Sequence, residues 1–171
     1  MGYIFQTERL RLREFNENDA AFIVELVNSE GWLKYIGDKN VKTEDQARDY
    51  LINGPIKSYK DNGYGLYLVE LKNEKIPIGM CGIMKRDNLE SPDIGYAFLP
   101  IYMGQGYAFE IAEQTLRYAK DQLNINKILA ITNPENKASI KLLGKLGLTF
   151  QKMIDATNHS IELNLFSRLL K

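Results

Sequence analysis

Apolar and polar positions along this chain change period several times. Leu10-Arg11-Leu12-Arg13 alternates with period two, as a half-buried strand does. Asn18-Asp19 then reads as the cap of a helical run with Phe22, Ile23, Leu26 and Val27 on one face. A second helical run starts near Thr43, where Thr43-Glu44-Asp45-Gln46 has the form of a capping box. It turns Ala47, Tyr50 and Leu51 inward, and Gly54-Pro55 disturbs it.

The middle of the chain predicts an antiparallel meander. Residues 66–71 and 76–84 read as strands joined by the turn Lys72-Asn73-Glu74-Lys75, and Ser91-Pro92 leads into a third strand, 94–99. Pro100 ends that strand, and the glycine-bearing stretch Met103-Gly104-Gln105-Gly106 follows. Ala108, Ala112, Leu116, Ala119 and Leu123 then recur at helical spacing, with Glu113 and Arg117 as an i,i+4 pair outside. A strand at 127–131 completes a strand-helix-strand unit of the kind that makes a parallel pair. Asn133-Pro134 opens another helix, carrying Ile140, Leu143 and Leu146 and stopping at Gly147. Residues 148–154 and 160–166 read as a closing hairpin. The alternation of strands and helices, with no repeat or linker-like tract, predicts one mixed α/β (α+β) domain over residues 1–171.

Composition narrows the picture. Lys plus Arg and Asp plus Glu number 22 each, so there is no global signal for nucleic acid or an anionic membrane. The single cysteine, Cys81, excludes an internal disulfide and points to a reducing compartment. The first residues carry no signal-peptide pattern, and no apolar stretch reaches membrane-spanning length. A cytoplasmic protein is the expectation.

Elimination directs the chemistry. One histidine, His159, and one cysteine are too few for a His/Cys zinc site, and no metal site is expected. A serine hydrolase would need His159 and a G-x-S-x-G elbow, which the chain lacks. Cys81 sits in an apolar strand, where cysteine is usually core. The glycine loop lacks the P-loop pattern, and Phe109 stands where a dinucleotide fingerprint needs its third glycine. What survives is a helix N-terminus near Gly106 with unpaired N–H groups and a favourable dipole. Taken alone, Gly104 and Gly106 read first as an ordinary turn and second as room for a phosphate against the backbone.

The surrounding motifs bear on that choice. Thr7-Glu8-Arg9-Leu10-Arg11-Leu12-Arg13 with Asp19, Ile94-Gly95-Tyr96, Pro100, Gly104-Gln105-Gly106-Tyr107-Ala108 with Glu110, Asn136-Lys137-Ala138-Ser139-Ile140 and Leu146-Gly147-Leu148 occur in order over nearly the whole chain. The set resembles the GNAT superfamily of N-acetyltransferases, in the branch that includes the ribosomal-protein N-terminal alanine/serine acetyltransferases. The resemblance implies a GNAT fold: a mixed, mostly antiparallel sheet of about seven strands, flanking helices, and a splayed parallel pair forming the CoA cleft. It implies acetyl-CoA as co-substrate. The strand at Tyr96, Ala97 and Phe98 would bond the pantetheine arm, and amides of Gly104, Gln105, Gly106, Tyr107, Ala108 and Phe109 would hold the pyrophosphate. An amide near Phe98 or Leu99 would polarise the thioester carbonyl. Met103 stands where the superfamily often has Gln or Arg, so no side-chain cation is expected there and the phosphate grip falls to backbone amides.

The implied acceptor is an amine, at a protein N-terminus or on a small molecule, with no nucleic-acid or membrane partner, and the enzyme a monomer or homodimer. An α-amine with pKa about 8 is roughly one-tenth neutral at pH 7, whereas a lysine is well below one in a thousand. A lysine acceptor therefore gains more from a general base. Many relatives carry a tyrosine acid seven residues after Asn136, here Leu143, and some a glutamate base five residues before it, here Ile131. Ser139 is the best polar substitute; it reads either as the acid for the departing thiolate or as support for the first helical turn. Asn136 reads as a CoA contact or a cap. Tyr96 could orient a water or line the pocket; Asp93 lies too far along the strand to act on the acetyl carbon, and Glu110 suits a structural role in the first helical turn. Trp32 and Tyr35, in the segment 31–37, read as acceptor-pocket lining or as core. The rival readings are a CoA-binding sensor or regulator with little catalysis and, more distantly, a nucleotide-phosphate-binding domain.

Overall fold

The structure is a computed structural model that describes residues 2–155 and 161–171. Its strands are β1 (Phe5–Gln6), β2 (Leu10–Arg13), β3 (Leu66–Leu71), β4 (Pro77–Met84), β5 (Asp93–Phe98), β6 (Lys127–Thr132), β7 (Thr149–Asp155) and β8 (Glu162–Leu169). The α-helices are α1 (Ala20–Val27), α2 (Glu30–Tyr35), α3 (Glu44–Leu51), α4 (Lys57–Asn62), α5 (Tyr107–Asp121) and α6 (Lys137–Lys145). All eight strands join one sheet in the order β1-β2-β3-β4-β5-β6-β8-β7. Only the β5–β6 pair is parallel among the pairings of this sheet. The expected sheet is thus present with one additional strand, the two-residue β1, too short to carry an alternation of its own.

Period-two alternation in the strands splits the core between the two faces of the sheet. Tyr67, Cys81, Ile83 and Phe98 pack with Ile111, Ala112 and Leu116 of α5 on one face. Leu68, Met80 and Leu99 pack with Ile23, Leu26, Ala47 and Leu51 of α1 and α3 on the other. Gly82 lets two strands approach: a Cβ there would lie 2.1 Å from the carbonyl oxygen of Gly65. The Thr43 capping box is present, with Thr43 accepting from the Gln46 amide and Gln46 reaching back to the Thr43 amide.

Three local expectations are corrected. The first cap is Asn16, whose side chain accepts from Asn18 N, while Asp19 closes the box and pairs with Arg13 at 2.9 Å. Gly54-Pro55 disturbs its helix as expected: residues 52–56 form a wide π-helical turn that continues into α4. The missing proline N–H is accommodated by that wider turn. The segment holding Trp32 and Tyr35 is helical, as α2. The helix after β6 begins at Lys137, because Asn133-Pro134-Glu135 makes a separate turn and Asn136 is the residue that caps.

Candidate active site

Strands β5 and β6 register at a single position, Asp93 opposite Leu129, and then part. The register between β5 and β4 decides what lines the opening. Leu99 N donates to Ile78 O at 2.9 Å. Backbone groups alternate sides along an antiparallel ladder, so Leu99 and Ala97 face β4, while Tyr96 and Phe98 turn their N–H and C=O toward the departed β6. Of the two amides expected to polarise a thioester, Leu99 is already bonded inside the sheet. Phe98 N faces the cleft.

At the end of β5 the chain turns through Pro100–Tyr102 and reaches α5 by way of Gly104 and Gly106, with φ of 75° and 83°. Gly106 is the N-cap and offers no side-chain cap to the helix. The first i−4 bond runs from Glu110 N to Gly106 O, so the amides of Tyr107, Ala108 and Phe109 have no helical partner. They sit at the positive end of a fifteen-residue helix.

Glu110 fastens this loop to the start of the chain. It accepts from Thr7 Oγ1 at 2.6 Å, from Arg9 N at 2.8 Å and from Arg9 Nε at 2.7 Å. Burial would raise its carboxyl, but these donors outweigh burial and hold it below its ordinary value. Arg9 also donates to Gln105 O at 3.0 Å and lies over the Tyr107 ring. A cation therefore does reach the glycine loop, from the residue just before β2 rather than from position 103. Sequence reading missed it because 96 residues separate Arg9 from Gln105. Lys137, Lys141 and Lys145 line the same cavity from one face of α6.

Two cavities meet at the splay. The first, about 520 Å³, runs from the glycine loop along α6 to α2 and is lined by Trp32, Tyr35, Tyr96, Ala97, Phe98, Gly104, Gly106, Tyr107, Ala108, Phe109, Asn136 and Ser139. Gln105 is exposed outside that lining, with its side chain donating to Ile101 O. The second cavity, about 330 Å³, shares Trp32, Tyr35, Tyr96, Ala97, Asn136 and Ser139 and continues to Arg86 and Asp93. Trp32 is 6% exposed, and its Nε1 is buried without a hydrogen-bond partner among the described residues.

At the junction, Tyr96 Oη and Ser139 Oγ share a hydrogen bond of 3.0 Å. Burial pushes the phenol up to about 12, so it stays protonated at neutral pH. Ser139 N donates to Asn136 Oδ1 at 3.2 Å, so Asn136 caps α6 while also lining both cavities. Ile131 and Leu143 border the second cavity, so the two positions at which the resemblance points to a base and an acid are apolar. Cys81 is fully buried in the core, 3.5 Å from Thr115 Oγ1, and burial pushes its thiol up to about 12. His159 lies outside the described residues. Among those residues, no group of acidic, His or Cys side chains is arranged to hold a metal, and no helix is long and apolar enough to cross a membrane.

A parted parallel pair, unpaired amides at a helix N-terminus and two cavities meeting beside them form a cleft with room for two ligands. A family model described as an acetyltransferase (GNAT) domain matches residues 9–149, and the chain belongs to that family of N-acetyltransferases. It is 32% identical over 158 residues to the uncharacterized protein YkkB of Bacillus subtilis (strain 168), covering 91% of this chain and 90% of YkkB. Among solved structures, the ribosomal L7/L12 α-N-protein acetyltransferase RimL in complex with coenzyme A superposes with a TM-score of 0.81 at 19% identity, covering 99% and 98% of the two chains. Spermidine N-acetyltransferase from Vibrio cholerae, in complex with CoA and spermine, gives 0.77 at 22% identity, covering 94% and 95%. These likenesses establish the GNAT fold.

Proposed function

We propose that residues 1–171 act as a single cytoplasmic domain, monomeric or homodimeric, that transfers the acetyl group of acetyl-CoA to a primary amine by direct attack. The acceptor is a protein N-terminal α-amine or a small-molecule amine, with no nucleic-acid or membrane partner. The observation that carries this reading is the turning of Tyr96 and Phe98 backbone groups into the gap left by β6. Amides of the Gly104–Phe109 stretch and the nearby Arg9 suit a pyrophosphate, and the lysines of α6 suit a further phosphate. The two relatives solved with CoA make that ligand the natural occupant.

Acetyl-CoA supplies the acetyl group; a C–N bond forms as the C–S bond breaks, and one proton passes overall from nitrogen to sulfur. Phe98 N polarises the carbonyl. Ser139 protonates the departing sulfur, Tyr96 reprotonates Ser139, and the proton released by the attacking nitrogen returns to Tyr96, so both hydroxyls end as they began. Trp32 and Tyr35 enclose the amine and exclude water. Cys81, buried and with a raised pKa, is unsuited to an acetylated intermediate, which favours direct attack.

A second reading, a CoA-binding sensor with little catalysis, is favoured by the apolar residues at Ile131 and Leu143. Calorimetric titration with acetyl-CoA, followed by thiol release over amines, peptides and aminoglycosides, tests both readings. Binding with turnover is expected. Absence of binding sinks both, and binding without turnover on any amine leaves the sensor.

A further inference from the structure

The second cavity has a charge pattern that the acetyl-transfer reading does not use. Its floor holds Asp93, only 1% exposed, against Arg86, whose side chain is 37% exposed. Arg86 Nε donates to both Asp93 oxygens, at 3.1 and 3.2 Å, and Nη2 lies 3.6 Å from Met84 Sδ. The guanidinium is thus oriented from its inner side while a third of its surface stays open. Lys39 lines the same cavity, and Asp93 is its sole acidic lining residue among the described residues. Two cations face one carboxylate that is already paired.

Resting on the reading of this cleft as an acetyltransferase site, we propose that the acceptor is a primary amine carrying a carboxylate, and that Arg86, held by Asp93, recognises that carboxylate. A guanidinium fixed on one edge presents its remaining N–H groups in the geometry that carboxylates take up, without further loss of side-chain freedom. Asp93 lies three residues from Tyr96 along β5, about 10 Å at the rise of a strand. A carboxylate held on Arg86 is therefore separated from the Tyr96–Ser139 junction by about that span, too far for the α-carboxylate of the same amino acid. An extended peptide covers that distance in about three residues. The two sources are an N-terminus followed closely by an acidic residue and a long ω-amino carboxylate. A polyamine would bring positive charge to a cavity with a positive excess, and is disfavoured.

The test compares kcat/KM for matched pairs: Ser-Ala-Asp amide against Ser-Ala-Asn amide, and 8-aminooctanoate against 8-aminooctanamide, with spermidine alongside. The acid member of at least one pair is expected to exceed its neutral partner tenfold or more, with the pair that responds identifying the source, and spermidine is expected to be poor. Arg86→Gln should erase the preference while leaving acetyl-CoA binding by calorimetry unchanged. Because that variant leaves Asp93 buried without its cation, Arg86→Gln/Asp93→Asn carries the same test if the single variant does not fold. Equal rates within both pairs, a preference for spermidine, or a preference that survives loss of Arg86 would overturn the proposal. Those outcomes require acetyl-CoA binding and turnover, whereas failure of the parent protein to bind acetyl-CoA would remove the underlying reading instead.

Discussion

The Tyr96–Ser139 pair makes the proton path testable by a double-mutant cycle. A neutral hydrogen bond of 3.0 Å between two largely buried hydroxyls contributes about 0.5–1.5 kcal/mol, which corresponds to about 2- to 13-fold in rate. Tyr96→Phe keeps the ring in place and removes that bond together with the longer one from Tyr96 Oη to Ser139 O at 3.5 Å, so kcat should fall within this range. Ser139→Ala removes the group that meets the sulfur and should cost more, on the order of 100-fold for loss of a positioned acid. If Tyr96 acts only through Ser139, the double variant should be no slower than Ser139→Ala. The coupling energy then equals the whole effect of Tyr96→Phe, about 1 kcal/mol. The assay is thiol release at saturating acetyl-CoA, with calorimetric CoA binding as the control for pocket integrity. Independent, multiplicative losses would refute the relay, and normal turnover in Ser139→Ala would remove Ser139 from the mechanism altogether.

Other consequences follow from the same geometry. Gly106→Trp places an indole at the N-cap of α5, in a backbone conformation with φ of 83°, and should weaken acetyl-CoA binding at least tenfold by calorimetry; unchanged affinity would mean that the phosphate lies elsewhere. Gly82→Ala sets a Cβ 2.1 Å from a backbone carbonyl oxygen and should lower unfolding free energy by about 3 kcal/mol, the upper end for overpacking, in urea titration. Burial pushes the Asp93 carboxyl from 3.8 up to about 6, more than Arg86 beside it draws it down. The native state therefore holds that proton more tightly than the unfolded chain. The contribution, about 3 kcal/mol, is present below pH 3.8 and lost as pH rises through about 6. Asp93→Asn should remove this fall, visible as a change in the slope of unfolding free energy between pH 4 and 6.

Much of the architecture was legible because local patterns carried it. The period-two strands, the Thr43 box, the glycine stop at Gly147 and the i,i+4 pair of Glu113 and Arg117 are short-range features, and the structure contains each of them. Where local reading slipped, a nearby residue had two roles. Asn133-Pro134 looks like a helix start, but Asn133 closes its own turn on Glu135 N and leaves the cap to Asn136.

The sequence by itself determined most of the strands and the longer helices, β1 and α2 excepted, and that a glycine-lined helix start follows the third meander strand, since propensity, capping and period act over a few residues. Tertiary structure alone decided which amide faces the cleft, through the register of β4 on β5. It also brought Arg9 to Gln105, Tyr96 to Ser139 and Arg86 to Asp93. These contacts depend on where strands pair and where one parallel pair parts, and pairing between distant segments leaves no trace in the spacing of either one.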